Sequence, residues 1–334
     1  MSSPDPSVVL DLIEAFRRSK TMFTAVRLGV FDRLPATAEH LGRTLEADPG
    51  ALGRLLDGCV GLGLLQKNAD RYENTPASDA YLRKQSPQRL TGYIEYSDQV
   101  LYRLWGCLDG AVKEGTHRWK NALGLDGPIF SSFFRTPEAR SEFLAGMHGL
   151  GLLTSPAVVR VFNLNRFRHL ADLGGATGHL AVAACERYGE MYATVFDLAE
   201  VVEEARAHVN VSRAAGRIRL QAGDFFQDPL PEADLYAVGR ILHDWSEPKI
   251  RTLLTRIHAA LPPGGGLLIA EKLLDEDRAG PVATQMQSLN MLVCTEGRER
   301  TESEYRALLE EAGFTQVEAR RTGASLDAVL AIKM

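Results

Sequence analysis

The sequence predicts two parts: a helical amino-terminal region, and behind it an α/β domain with a doubly wound, mostly parallel sheet. Three observations predict it. At 334 residues the chain exceeds the size at which one hydrophobic core stops growing. From Arg168 onward short β-rich runs alternate with helical segments, the pattern of a parallel sheet covered on both faces. Up to Phe162 the apolar residues instead recur at helical spacing. The boundary falls near Asn163 to Asn165, dividing residues 1–164 from 165–334.

In the first region Val9, Ile13, Phe16, Met22, Phe23 and Val26 form a helical pattern that Gly29 breaks. A short helix follows over Ala38 to Leu45. Asp48 and Pro49 then read as N-cap and first helical position of another helix, with Leu52, Leu55, Leu56, Cys59 and Val60 on one stripe and Gly63 to close it. Leu64 to Lys67, a polar turn at Asn68 to Asp70, and Arg71 to Asn74 read as a hairpin. Helix, helix and hairpin make a winged-helix unit. Because such units often read DNA, a transcriptional regulator is the alternative from another functional class. Charge argues against it: acidic and basic residues nearly balance over the first hundred positions, and the would-be recognition helix sets Arg54 beside Asp57.

The whole chain has the composition of a soluble globular protein. Apolar residues make up 45% and charged residues 24%, and no run approaches the roughly 18 apolar residues of a membrane span. No signal peptide precedes the first helix, so the reading is cytoplasmic. A net charge of -5 speaks against nucleic acid as a partner. Cys59, Cys107, Cys185 and Cys294 are scattered, with neither zinc-ligand spacing nor a disulfide framework.

In the second region strands read at His169 to Leu173, Ala193 to Phe196, Ile218 to Ala222, Leu235 to Val238 and Gly266 to Ala270. The first runs into Asp172-Leu173-Gly174-Gly175-Ala176-Thr177-Gly178, a strand-to-helix turn where open α/β sheets bind ligands. The dinucleotide spacing G-x-G-x-x-G is absent, and Asp172 would repel a pyrophosphate. That carboxylate suits a cationic amino group such as that of S-adenosylmethionine. Asp197, about 20 residues beyond the turn, reads either as an acceptor for two ribose hydroxyls or as a helix N-cap. Asp224 and Phe225, after the third strand, read either as adenine contacts or as an ordinary turn. His243-Asp244-Trp245 follows the fourth strand, and Glu271 and Glu299 would converge on the same sheet edge, so His243 reads as a proton acceptor.

Asp172 to Gly178, Gly223 to Phe226, Leu242 to Trp245, Ala270-Glu271 and Leu289 to Arg300 together resemble the small-molecule S-adenosylmethionine-dependent O-methyltransferases of the acetylserotonin and caffeic acid type. The resemblance spans nearly the whole chain, and Leu289 to Gly297 looks most like the acetylserotonin branch, though Cys294 stands where that branch carries Gln. It implies a Rossmann-like class I methyltransferase domain with a mixed seven-stranded sheet, whose last strand, Asp327 to Ile332, inserts antiparallel. It implies that the amino-terminal domain pairs two chains into a homodimer. It implies His243 as general base held by Glu271 and Glu299, without a metal. The cofactor contacts it implies are Asp172, Gly174, Gly175, Gly178, Asp197, Leu198, Asp224, Phe225, Arg240 and Trp245. Around a small aromatic hydroxyl-bearing acceptor it implies Trp105, Phe143, Met147, Asp244, Asn290, Met291 and Cys294. A base that activates a phenol would serve ring C-methylation equally, so that reaction on the same fold stays open.

Overall fold

The computed structural model describes residues 4–127 and 129–334. The chain forms two compact units, one ending at Tyr102 and the other starting at Arg103. Sequence texture changes later, near residue 163, because the helices between 103 and 161 pack with the sheet that follows them.

In the first unit, helix α1 (Ser7–Leu28) stops at Gly29, whose left-handed φ of 70° lets its N–H reach back to Ala25 and Val26. Only Ala25 and Val26 of α1 are buried. Val8, Val9, Leu10, Leu12, Ile13 and Phe16 are 53% to 72% exposed, an apolar surface that is uncovered among the described residues. Helix α2 (Ala38–Leu45) is capped by the Thr37 hydroxyl, and α3 (Pro49–Gly61) by Asp48, which accepts from Ala51 N–H at 2.7 Å. Leu52, Leu56 and Cys59 on α3 pack onto Leu41, Phe31 and Val26. The hairpin pairs Leu65–Asn68 with Arg71–Asn74, and Ala36–Thr37 adds a short third strand.

The second unit is built on seven strands: β1 (His169–Leu173), β2 (Tyr192–Asp197), β3 (Ile218–Ala222), β4 (Leu235–Gly239), β5 (Gly266–Glu271), β6 (Thr315–Arg320) and β7 (Asp327–Ile332). Their order is β6-β7-β5-β4-β1-β2-β3. The five strands from β1 to β5 run parallel, and β7 inserts antiparallel between β5 and β6. Alternation is clean. Leu170, Val195, Ala237 and Leu268 face one apolar layer, and Ala171, Phe196, Val238 and Ile269 the other. Each large side chain so buried stabilises the fold by about 1.5–3 kcal/mol relative to exposure. Helices that position the site are α4 (Pro137–Val161), α5 (His179–Arg187), α6 (Ala199–Asn210) and α7 (Glu247–Ala260), then α8 (Val282–Cys294).

From β1 the chain builds outward to β2 and β3, then crosses to β4 on the other side. The order reverses between β1 and β4, and a crevice opens at their carboxyl ends. Among the described residues no helix is long and apolar enough to cross a membrane.

Candidate active site

The glycine turn follows β1 at this reversal. Gly174, at φ 67°, lies against Ile241, and a Cβ on Gly175 would come within 2.9 Å of the Asp172 carboxylate, so neither position has room for a side chain. Gly178, at φ 78°, packs on Val209 of α6 and lets α5 start close to it. A cavity of about 230 Å³ lies beside the turn. Its wall includes Asp172, Gly174, Gly175, Asp197, Leu198, Asp224, Phe225, Arg240 and Trp245, nine of the expected cofactor positions.

Asp172 is 2% exposed, and among the described residues its Oδ2 has no hydrogen-bond partner. Burial pushes its carboxyl up to about 7. An orphaned acidic oxygen in a cavity wall suits a ligand that brings a cationic donor, and the two glycines keep the backbone open to it. Asp197 is tied to the same turn: Oδ2 accepts from Ala176 N–H at 2.9 Å and Oδ1 from Leu198 N–H at 2.8 Å. Burial holds it up at about 6 despite those bonds. Asp224 accepts from Phe226 N–H and from the Gln227 amide, both at 2.8 Å, so its carboxylate shapes its own turn. Arg240 sits at φ 58°, rare for a side chain of that size, while its N–H donates to Ala270 of β5.

His243 lies on the short turn after β4. Its Nδ1 is 2.7 Å from Glu299 Oε1 and 3.1 Å from Glu271 Oε2. Only the Glu299 oxygen is in line for a hydrogen bond. Glu271, at the end of β5, uses its other oxygen to accept from the N–H groups of Ile241 and Leu242, which fixes the turn itself. Burial alone would depress the imidazole, but Glu271 and Glu299, with Asp244 behind them, lift His243 to about 10. Burial raises Glu271 to about 7 against the pull of His243. On the far side of the ring Asp244 Oδ1 is 3.8 Å from Nε2, and Asp244 borders the cavity. Burial lifts Asp244 to about 6. The ligand atoms of His243, Glu271 and Glu299 lie within 4.8 Å of one another, a spacing that could also seat a cation.

Glu299 reaches His243 through an element with no sequence signal. Leu273–Leu274, just past β5, pairs in parallel with Arg300–Thr301. Buried Arg300 then donates from Nη1 to the Arg298 carbonyl at 3.0 Å and the Leu242 carbonyl at 3.4 Å. Those carbonyls immediately precede Glu299 and His243, so one guanidinium clamps both segments.

Of the expected acceptor residues, Phe143 and Met147 of α4 line the cavity with Asp244. Trp105, Asn290 and Cys294 come together at α8: the indole N–H donates to Asn290 Oδ1 at 2.9 Å, and the Cys294 thiol lies 3.8 Å from the same oxygen. Met291 and Cys294 are buried. Burial pushes the thiol far above its ordinary range. The cavity wall also takes Phe130 and Phe134, from a stretch of large side chains that reads either as pocket lining or as core, Gly223 from the resembling stretch, and His179, Val201 and Ile241, which the sequence did not single out for it. Phe130 lies 5.4 Å from the Trp245 ring, one edge of an aromatic wall. The FF doublet at 133–134 was visible as apolar sequence, but both rings pack on Phe143 of α4 and only Phe134 reaches the cavity wall, a division that the sequence does not show.

Two family models match this chain: an O-methyltransferase domain over residues 105–315 and an O-methyltransferase dimerisation domain over residues 10–84. The chain belongs to the O-methyltransferase family. The methyltransferase is 41% identical to acetylserotonin O-methyltransferase of Gallus gallus, over 98% of this chain and 97% of that one. It is also 41% identical to a probable bifunctional dTTP/UTP pyrophosphatase/methyltransferase protein of Homo sapiens, over 99% of this chain and 54% of that one, so it spans about half that relative's length. Its fold superposes on the crystal structure of human N-acetylserotonin methyltransferase in complex with SAM with a TM-score of 0.94 and 39% identity, covering 100% of this chain and 99% of that one.

Proposed function

We propose that the methyltransferase moves a methyl group from S-adenosylmethionine to the hydroxyl oxygen of a small aromatic acceptor, phenolic or indolic, with His243 as general base. The observation that carries this reading is an imidazole held on Nδ1 by Glu299, with Nε2 3.8 Å from Asp244, a residue of the cavity wall. S-adenosylmethionine, when bound, supplies a methyl group made electrophilic by a sulfonium, whose positive charge opposes protonation nearby. Asp172 receives the ammonium group, Asp197 the ribose hydroxyls and Asp224 the adenine amine, with Phe225 against the ring and Leu198, Arg240 and Trp245 completing the wall. Gly174 and Gly175 admit the ligand to the backbone, and Gly178 acts indirectly, through the packing of α5. Phe143, Met147, Asp244, Trp105, Asn290, Met291 and Cys294 select the acceptor. Residues 165–334 thus serve the cofactor, the base and part of the acceptor site, and residues 1–164 serve chain pairing and the rest of the acceptor wall.

The energetics divide the cost between proton transfer and keeping the ring neutral. A phenol of pKa about 10 would lose its proton to an ordinary histidine at a cost of roughly 5 kcal/mol. With His243 lifted to about 10, that transfer becomes nearly level. The remaining requirement is a neutral ring, since an imidazolium has no lone pair to offer. No divalent cation enters this scheme, because Glu271 and Glu299 are already engaged in holding the turn and the ring.

The exposed apolar face of α1 supports a homodimer through the amino-terminal domain. Hydroxyindoles are the first acceptors to test. Incubation with labelled cofactor and a panel of phenols and hydroxyindoles, with the methyl located by NMR, decides the reading. Methyl on oxygen is the expected result; methyl on carbon would replace the reaction and keep the cofactor.

A further inference from the structure

The cavity wall is charged unevenly. Asp172 and Asp197 stand close enough for one carboxylate to act on the other. Elsewhere on the wall stands His179, and the charged groups acting on its ring are all basic: Arg240, His148 and His208. His148 and His208 stack with ring centroids 3.9 Å apart, and His148 Nδ1 is 2.8 Å from the Thr177 hydroxyl of the glycine turn. Burial, then Arg240 and the two imidazoles, hold His179 down at about 3, so its ring is neutral and offers one donor and one acceptor.

The ring is held in one orientation. Its Nδ1 lies 2.8 Å from the Ser155 hydroxyl of α4, and it occupies the space over Gly151 where any side chain would collide. Nothing in the methyl-transfer scheme uses it.

We propose that His179, oriented by Ser155, donates a hydrogen bond from Nε2 to the carboxylate of the methionyl part of the cofactor. This rests on the cofactor reading above. A ligand whose ammonium meets Asp172 carries its carboxylate on the same carbon, and that anion turns toward the basic part of the wall and away from Asp197. When the Ser155 hydroxyl donates to Nδ1, the ring proton sits on Nε2, the tautomer this contact needs.

Calorimetry on the full chain tests it with two ligands: S-adenosylhomocysteine, which has the amino-acid arm, and 5′-methylthioadenosine, which lacks it. His179→Ala should weaken S-adenosylhomocysteine by about tenfold, the loss of one hydrogen bond to a charged group, and leave 5′-methylthioadenosine unchanged. Ser155→Ala, which keeps the imidazole and so covers the case of a misfolded His179 variant, should give a smaller loss with the same selectivity. Equal weakening of both ligands makes His179 a wall residue and overturns the proposal. So does undiminished S-adenosylhomocysteine affinity, the result expected if the ring serves only the shallower cavity it borders with Ser155 and Pro156. Wild-type protein that binds 5′-methylthioadenosine but not S-adenosylhomocysteine overturns it as well, whereas binding of neither ligand overturns the cofactor reading itself.

Discussion

His243 Nδ1 and Glu299 Oε1 lie 2.7 Å apart although 56 residues separate them in the chain. That distance is a charge-assisted hydrogen bond, and it makes the ring's basicity depend on a residue from another segment. His243→Ala should therefore cut kcat by roughly 10²- to 10⁴-fold, the usual loss for a general base. Affinity for S-adenosylhomocysteine should survive, measured by calorimetry. Turnover near the wild-type level would remove His243 from the mechanism.

The pH dependence has a definite sign. His243 is lifted to about 10, so in the free protein it is cationic at neutral pH, and the reactive neutral ring grows as pH rises. For a phenol that stays protonated, kcat should climb with pH on the alkaline side of neutrality. Glu299→Gln removes a charge that stabilises the imidazolium, so the climb should begin at lower pH while the plateau rate falls. A lower rate with an unmoved profile would make Glu299 merely structural.

Cofactor binding should release protons. Asp172 at about 7 is partly protonated near neutrality, and a cationic partner favours its ionised form. Titrations near pH 6.5 in two buffers of different ionisation enthalpy should give different apparent heats. Asp172→Asn should reduce that difference and weaken binding, leaving the smaller share that comes from Asp197, held at about 6. Identical heats for the wild-type protein would reject the assignment.

Trp105→Phe removes the indole N–H that now occupies Asn290 Oδ1. The freed carbonyl can take a donor from an acceptor molecule, so KM values should be reordered between hydroxyindoles and simple phenols. Cys294→Gln, which introduces a second amide beside Asn290, should do the same. If either variant lowers the melting temperature and leaves the order intact, the cluster is interior packing.

Six apolar residues of α1 stand 53% to 72% exposed on a single chain. Light scattering should report twice the chain mass. Ile13→Glu with Phe16→Glu should shift the protein toward the monomer and lower its melting temperature. An unchanged mass in that variant would move the interface elsewhere.

Much of this was legible in the sequence because the relevant signals are local. Gly29 stops α1, Asp48 caps α3, and the strands β1, β2, β4 and β5 announce themselves by mostly apolar runs and β3 by alternation. The strand β6 carried no such run: Val317 is its one buried residue, Gln316 sits at φ 47°, and its register slips between Thr315 and Glu318. As a charged edge strand it has one neighbour to satisfy and little apolar pattern to show. The convergence of Glu299 on His243 was readable only as far as a shared sheet edge, since the contact itself depends on a two-residue parallel pairing that has no period. His179 was hidden for another reason. Its place on the cavity wall depends on α4 presenting Gly151 and Ser155 to it, a relation between side chains of two helices.

The Arg300 clamp bears on how such a chain can change over generations. A guanidinium sealed in the interior and bonded from one nitrogen to two carbonyls is hard to replace: losing it strands the Arg298 acceptor and leaves Leu242 with only the Trp245 N–H, and a lysine would have to bring a compact, strongly hydrated charge into the same buried place. The walls formed by Phe130, Phe143 and Met147 face no such constraint, because apolar side chains of similar volume exchange at modest cost. Random variation should therefore erase methyl transfer abruptly at position 300 while drifting acceptor choice by degrees at the aromatic wall, which leaves new substrates within reach of single steps that never pass through an inactive ancestor.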